Sequence, residues 1–402
     1  MNKTSTPSDD KPAIERWRAD TPGCAHRNHL NNAGAALMPG PVIDAVTDYL
    51  QEESLYGGYE TADARAEQIE AVYESLARLI GAKPSNIAVV ENATVATSQA
   101  LSAFDFEAGD TVLTTRVDYS SNQIMLLNLA QRFGVRVIRA EDKPGGGVDP
   151  DSVQSLIREH RPRLMLMSWV PTNSGLVQEA AAVGEICRAA ELPFLLDACQ
   201  AVGQMPVDVS DLNCDFLAAT SRKFLRGPRG LGFLFVADRV LENGLHPLFP
   251  DTHGAQWISA DRFRLEESAR RFENWEFPYA LVAGLGMAAD YALKVGLDTI
   301  QSRCGELAAY ARQQLGELPG ARLLDRGAKR CAIVTVSFDG VDATSLVKPL
   351  REIDINTSAN RRHHAVIDMD EKQTETNLRV SPHYYNTQEE INALVHALER
   401  ML

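Results

Sequence analysis

A lysine amine is a nucleophile only when it is neutral, and a desolvated pocket shared with other cations keeps it so. Lys223 has that setting, in Cys214–Phe233 (CDFLAATSRKFLRGPRGLGF), where an apolar run ends in Thr220, Ser221, Arg222 and Lys223 and turns through Gly227, Pro228 and Gly230. A second candidate is Asp197, in LPFLLDACQAVGQ, where an acid closes a buried apolar run and Gln200 follows three residues on. A carboxylate there needs a cationic partner, because a lone buried charge is too costly. A protonated pyridine nitrogen would serve, with Gln200 donating to a ring oxygen. The third is Glu91-Asn92-Ala93-Thr94, between the apolar run Ile87–Val90 and a helical stretch over 95–104. Small residues opening a helix leave free N–H groups that can cradle a phosphate. Taken singly, each motif reads as readily in structural terms: a surface Lys-Arg pair, an N-cap aspartate, a plain N-cap. Gly227, Gly230 and Gly232 run opposite to the dinucleotide fingerprint and precede a strand, so they mark no nucleotide site.

The three motifs occur in order, each at the carboxyl end of an expected strand. Phosphate cradle, pyridine partner and imine-forming lysine are together the parts of a pyridoxal phosphate (PLP) site. From His29 onward the chain resembles the class V aminotransferase group, which includes cysteine desulfurases, kynureninases and isopenicillin N epimerase-like proteins. The resemblance implies PLP as cofactor, bound to Lys223, with Asp197 on the pyridine nitrogen and Gln200 on the ring hydroxyl. It implies Ala93, Thr94, Thr220 and Arg222 on the phosphate, Arg222 standing where the group commonly has His. It puts Tyr119 (in DYSSN) over the ring, Thr172 (in VPTNSG) beside it, Arg379 (in LRVSPHYYNT) on a substrate α-carboxylate and Asn32 (in HLNNAGAALMP) in the substrate pocket. Trp275 and Glu276, in RFENWE, fall where members reach into a neighbouring subunit, which implies a homodimer.

One departure bears on the reaction. Cysteine desulfurases carry a reactive cysteine on a loop shortly before the carboxylate arginine. Here that loop reads Arg361-Arg362-His363-His364-Ala365-Val366, and no cysteine follows Cys331. SRKFLRGPRG, RFENWEF and RVSPHYYNT most resemble the branch with epimerase-like proteins and hercynylcysteine sulfoxide lyases. The expected activity is therefore a C–S β-lyase on a cysteine derivative or sulfoxide, working without a persulfide cysteine. An aminotransferase and an amino-acid racemase or epimerase share its first carbanion, so the cofactor motifs leave them open. So does a PLP fold kept as a binding subunit, against which the intact Lys223, Asp197 and Arg379 argue. Adjacent histidines face apart on a strand or helix, so His363-His364 is not expected to hold a metal.

The elements that must position these residues are legible as hydrophobic runs. Seven strands are expected at Ile87–Val90, Thr111–Thr115, Val135–Arg139, Leu164–Trp169, Phe194–Asp197, Phe216–Thr220 and Gly232–Val236. Most are continuously apolar, as in a mostly parallel sheet covered on both faces. With helices between them, including Ala64–Ile80 capped by Gly81, they spell an α/β, doubly wound fold of PLP fold type I. Beyond about residue 279 come helices at Tyr279–Val295, Ile300–Leu315, Ala343–Glu352 and Thr387–Met401, with strands at Ala332–Phe338 and Leu378–Ser381. The expected division is an arm over 1–28, a large PLP-binding domain over 29–278 and a smaller α+β domain over 279–402.

Of 402 residues, 45% are hydrophobic and 23% charged, with 40 Lys and Arg against 54 Asp and Glu, hence a net charge of −14. That sign disfavours nucleic acid and anionic membrane as partners, while the resemblance implies a small-molecule amino acid as the substrate. The six scattered cysteines, with no CxxC pair, read as free thiols, and the polar start MNKTSTPSDDKPAIERW lacks a secretory signal, so a cytoplasmic protein is expected.

Overall fold

The computed structural model describes residues 11–402. A seven-stranded sheet is built from β1 (Ile87–Val90), β2 (Thr111–Thr114), β3 (Arg136–Arg139), β4 (Leu164–Ser168), β5 (Phe194–Asp197), β6 (Phe216–Thr220) and β7 (Gly232–Val236). Its order is β1-β7-β6-β5-β4-β2-β3. β7 runs antiparallel to both neighbours and the other ladders are parallel, which makes the sheet mixed but mostly parallel. Every residue of β1, β2, β4, β5, β6 and β7 is buried, which explains their uninterrupted apolar sequences. Only β3, at the sheet edge, is partly open.

An exposed hairpin follows, β8 (Ala255–Ser259) with β9 (Arg262–Leu265). A second sheet, in the order β10-β11-β13-β12, comprises β10 (Ala321–Leu323), β11 (Val334–Phe338), β12 (Ser358–Arg361) and β13 (Thr376–Val380), all antiparallel. The segment Asn28–Asn31 is stitched to stretches of chain that flank this second sheet. Asn28 and His29 pair in parallel with Ile355 and Asn356, and Asn31 bridges to Ser381.

Several boundaries differ from expectation. The helix expected over 64–80 is interrupted at Arg65, leaving Gly58–Ala64 and Ala66–Ile80. The Arg65 guanidinium turns to Glu52 and Gln68, and Gly81 ends the second piece in the left-handed conformation. Of the arm expected over 1–28, residues 1–10 lie outside the described residues. Lys11–Ala19 is a helix, α1, whose Trp17 is buried edge-on against Tyr384 with 5.2 Å between ring centroids. Helix α2 (Gly40–Tyr56) packs on α3 (Tyr279–Val295). No single helix among the described residues is long and apolar enough to cross a membrane.

Candidate functional site

The parallel strands point their carboxyl ends one way, and the residues singled out above sit on or just beyond those ends. Asp197 is the last residue of β5, Thr220 the last of β6, and Ala93 opens the helix Ala93–Ser102 that follows β1. A cavity of about 460 Å³ lies among them, lined by Ala93, Thr94, Tyr119, Cys199, Thr220, Arg222 and Lys223, with Glu91, Asn92, Arg229 and Gly230 at its edge. Gly232 packs close behind the helix opening: a Cβ there would lie 2.4 Å from the Ala219 carbonyl oxygen and 3.1 Å from the Ala93 nitrogen. Only glycine lets the helix opening approach β7 so closely.

Lys223 is buried, and its ammonium form is disfavoured first by desolvation and then by Arg222 and Arg379, against the opposing pull of Cys199 and Asp197. Its pKa is therefore lowered, toward the neutral amine that imine chemistry requires. Its Nζ lies 5.7 Å from the centre of the Tyr119 ring. Asp197 is buried; Oδ1 accepts from the Cys199 backbone N–H at 3.0 Å and Oδ2 from Asn122 Nδ2 at 3.0 Å. No cationic side chain among the described residues forms a salt bridge with it.

Arg379, on β13, is buried, and desolvation, with Arg222 nearby, lowers its pKa to about 10. Its Nη1 donates to Thr172 Oγ1 at 2.7 Å and to the Thr172 carbonyl oxygen at 3.1 Å, and its Nη2 donates to Asn31 Oδ1 at 3.2 Å. Its Nε has no partner. Gln200 Nε2 donates to the same Thr172 Oγ1 at 2.9 Å and to the Ala33 carbonyl oxygen at 3.1 Å, leaving Oε1 without a partner. Thr172 thus joins Gln200 to Arg379.

Three placements depart from the sequence reading. Asn32 is wholly buried and its amide is spent inside the protein: Nδ2 on the His29 and Ser381 carbonyl oxygens, Oδ1 on the Tyr385 hydroxyl. The residue that reaches Arg379 is its neighbour Asn31, which bridges to Ser381 just before the chain turns over Asn32–Gly34. Arg222 lines the cavity, but its Nη1 already donates to the Gly34 carbonyl oxygen. The His363 and His364 rings pack edge to face, 4.4 Å between centroids, instead of facing apart, because they occupy a 3-10 turn. No group of three or more His, Cys, Asp or Glu that could hold a metal occurs among the described residues.

Trp275 and Glu276 are exposed, beside the cradle, where Asn274 Nδ2 lies 3.4 Å from Glu91 Oε1. The buried Glu273 anchors this segment, accepting from the Tyr73 hydroxyl at 2.9 Å and the Val89 N–H at 2.6 Å and pairing with His253 at 3.0 Å. Sequence reasoning missed Asp118, which lies behind Asp197 and is buried as deeply. Its spacing of four from both Thr114 and Asn122 was the available signal.

The residues present fit PLP. The cavity ends at a helix opening that glycine keeps clear, a carboxylate lacks a cation, and Arg379 Nε and Gln200 Oε1 are buried with nothing to bond.

The aminotransferase class V family model matches residues 28–394. A probable cysteine desulfurase of Methanothermobacter thermautotrophicus is 28% identical over 395 residues, covering 96% of this chain and 98% of that protein. The isopenicillin N epimerase of Streptomyces clavuligerus is 27% identical over 390 residues, covering 93% and 94%. Among solved structures, a variant of C-DES with glycine covalently linked to its PLP cofactor superposes with a TM-score of 0.85 at 22% identity, covering 95% of this chain and 98% of that one.

Proposed function

The chain belongs to the class V aminotransferase family of PLP enzymes, and from that premise we propose that it cleaves the Cβ–S bond of an S-substituted cysteine or cysteine sulfoxide and releases the sulfur as a small molecule. Bound PLP supplies an electron sink for negative charge at the substrate Cα. Arg379 grips the α-carboxylate through the guanidinium edge that its protein partners leave free. Lys223, its pKa lowered by burial, takes the Cα proton. Asp197 holds a proton on the ring nitrogen, and Ala93, Thr94, Thr220 and Arg222 surround the phosphate. Tyr119, its ring over Lys223, hands a proton toward the departing sulfur.

The observation that carries this reading is the state of the thiols. A persulfide relay needs a thiolate that reaches the substrate from a loop. All six cysteines precede residue 332, and burial raises the pKa of Cys24, Cys187, Cys199, Cys214, Cys304 and Cys331 alike. The loop ahead of Arg379 carries the half-buried His364 and the buried Ala365 in place of a thiol. C-DES, which shares the fold, is described as a cystine C–S lyase.

Incubation with S-substituted cysteines and their sulfoxides tests the reading. Expected are repeated turnovers giving pyruvate and ammonia with no keto acid added, and no persulfide on the chain by mass spectrometry. Conversion of the cofactor to its amine form, reversed only by a keto acid, would make the protein an aminotransferase. Inversion at Cα without either product would make it an epimerase, the second reading, which the Streptomyces relative favours.

A homodimer belongs to the same proposal. Leu55, Tyr56, Tyr59, Phe249 and Trp257 are each at least two-thirds exposed, more apolar surface than a monomer ordinarily presents. Sedimentation should give a dimer, and Trp257→Asp with Phe263→Asp should shift it to monomer.

A further inference from the structure

Behind Asp197 lies a second carboxylate with no cation of its own. Asp118 is buried and accepts four hydrogen bonds, all from neutral groups: the Ser168 hydroxyl, the Tyr119 N–H at 2.7 Å, Asn122 Nδ2 at 3.2 Å and the Thr114 hydroxyl at 2.9 Å. Burial, reinforced by the charge of Asp197, pushes its pKa up to about 6, and the bonds from Ser168, Asn122 and Thr114 oppose that rise.

Proton counting shows how the two acids are joined. Asn122 Nδ2 carries two hydrogens and stands 3.2 Å from Asp118 Oδ1 and 3.0 Å from Asp197 Oδ2, so it serves both. Ser168 has a single hydrogen, which goes to the nearer Asp118; Asp197 Oδ2, 3.4 Å away, receives none from it. Asp197 Oδ2 therefore keeps a lone pair facing a cationic donor. The Tyr119 N–H is held by the same Asp118 oxygen, so one carboxylate fixes the pyridine partner and the start of the helix that carries the ring over Lys223.

We propose that Asp118 is a positioning residue for the cofactor, acting through the Asn122 bridge to orient Asp197 and to add a second negative charge that keeps the proton on the PLP ring nitrogen. The proposal rests on the reading of Asp197 as the pyridine partner. Two uncompensated buried carboxylates are costly in the empty protein, and a cation delivered to Asp197 relieves both. Cofactor binding and ring protonation are therefore coupled to a residue that touches neither cofactor nor substrate.

The test reads the ring nitrogen directly. Holoenzyme is prepared with ¹⁵N-labelled PLP, and the ring ¹⁵N resonance and the PLP dissociation constant are measured for wild type, Asp118→Asn, Asn122→Ala and Asp197→Asn, with thermal unfolding as the check on folding. Asp118→Asn keeps the shape and removes the charge. It should move the resonance toward the unprotonated position and weaken PLP about tenfold or more, the scale of losing hydrogen bonds to a charged group. Asp197→Asn should move the resonance further. If Asp197→Asn leaves it in place, the pyridine-partner reading itself fails. If Asp197→Asn moves it while folded Asp118→Asn shows wild-type resonance and affinity, only the role of Asp118 is overturned. Should Asp118→Asn not fold, Asn122→Ala, which keeps both carboxylates and cuts the bridge, decides by the same two signals, and an unchanged resonance overturns the proposal.

Discussion

The two polar clusters of the site are built on opposite principles. Around Asp197 the hydrogen bonding is dense: Asp118 bonds Asn122, Ser168 and Thr114, and these sit on strands of one buried sheet, the helix Ser120–Phe133 and the short connection that carries Asp118. Around Arg379 the residues come from distant stretches, Asn31, Thr172, Gln200 and β13, and buried polar atoms are left over. A saturated cluster holds a group still, whereas an unsaturated one is a place where something is to be bound. Under the proposed function, the difference separates a cofactor end, set by the fold, from a substrate end, finished by what enters.

Damage at the cofactor end should be large and chemical. Lys223→Ala should fold yet lose the visible band of lysine-bound cofactor, with turnover down at least about 10²–10⁴-fold for loss of the proton-transferring amine. Borohydride reduction of wild type should label Lys223, and a label on another lysine would break the assignment. Next, Asp197→Asn should retain PLP at saturating cofactor but lose about 3–5 kcal/mol of transition-state stabilisation, the scale of one broken buried ion pair. Activity within threefold of wild type would show that the dense cluster is architecture only.

Damage at the substrate end should be smaller and confined to binding. Arg379→Lys should raise KM for an amino-acid substrate about 10- to 100-fold with a lesser change in kcat, since an ammonium cannot reproduce the planar fork. An unchanged KM would place the carboxylate grip elsewhere and dissolve the contrast. The smallest effect is on the cofactor-free protein. The folded state lowers the Lys223 pKa below its ordinary 10.5, so between the folded and unfolded values the unfolded chain binds the extra proton. Lys223 thus costs stability at neutral pH, and the cost fades as pH rises toward 10.5. Lys223→Met should raise the Tm of the apoprotein at pH 7, and the gain should shrink with rising pH.

The same contrast governs what could be read from the residues. The strands of the large sheet were legible because a strand covered on both faces must be apolar throughout, and the motif residues follow at their ends. Errors there were of one residue: Thr115 and Trp169 lie just past strands that end before them, and Val135 lies just ahead of one that begins at Arg136. In the smaller sheet, β12 went unread. Ser358–Arg361 (SANR) has no strand preference of its own and is held by pairing with β13, a long-range decision that local sequence does not carry. That pairing also moves β13 to Thr376–Val380, ahead of the expected 378–381. The hairpin β8–β9 was missed although AQWIS and RFRL flank a two-residue turn. At the site, Lys223 and Asp197 were singled out by chemical type and Arg379 by resemblance, whereas choosing Asn31 over Asn32 required knowing which way the segment faces. Asp118 required knowing that it is buried, which no residue type declares.

The stitching of Asn28–Asn31 to the flanks of the second sheet has a consequence for timing. Asn32 is tied to Ser381 across 349 residues of sequence, and Arg379 receives Asn31 and Thr172 only once β13 is in place. During synthesis the sheet bearing Asp197 and Lys223 leaves the ribosome well before residue 376, so a nascent chain holds the cofactor chemistry without its substrate clamp. Until residue 379 has emerged, Asn31 and Thr172 lack the arginine that joins them. Apparatus that loads PLP during synthesis would meet that open form, and loading after release would meet the closed one.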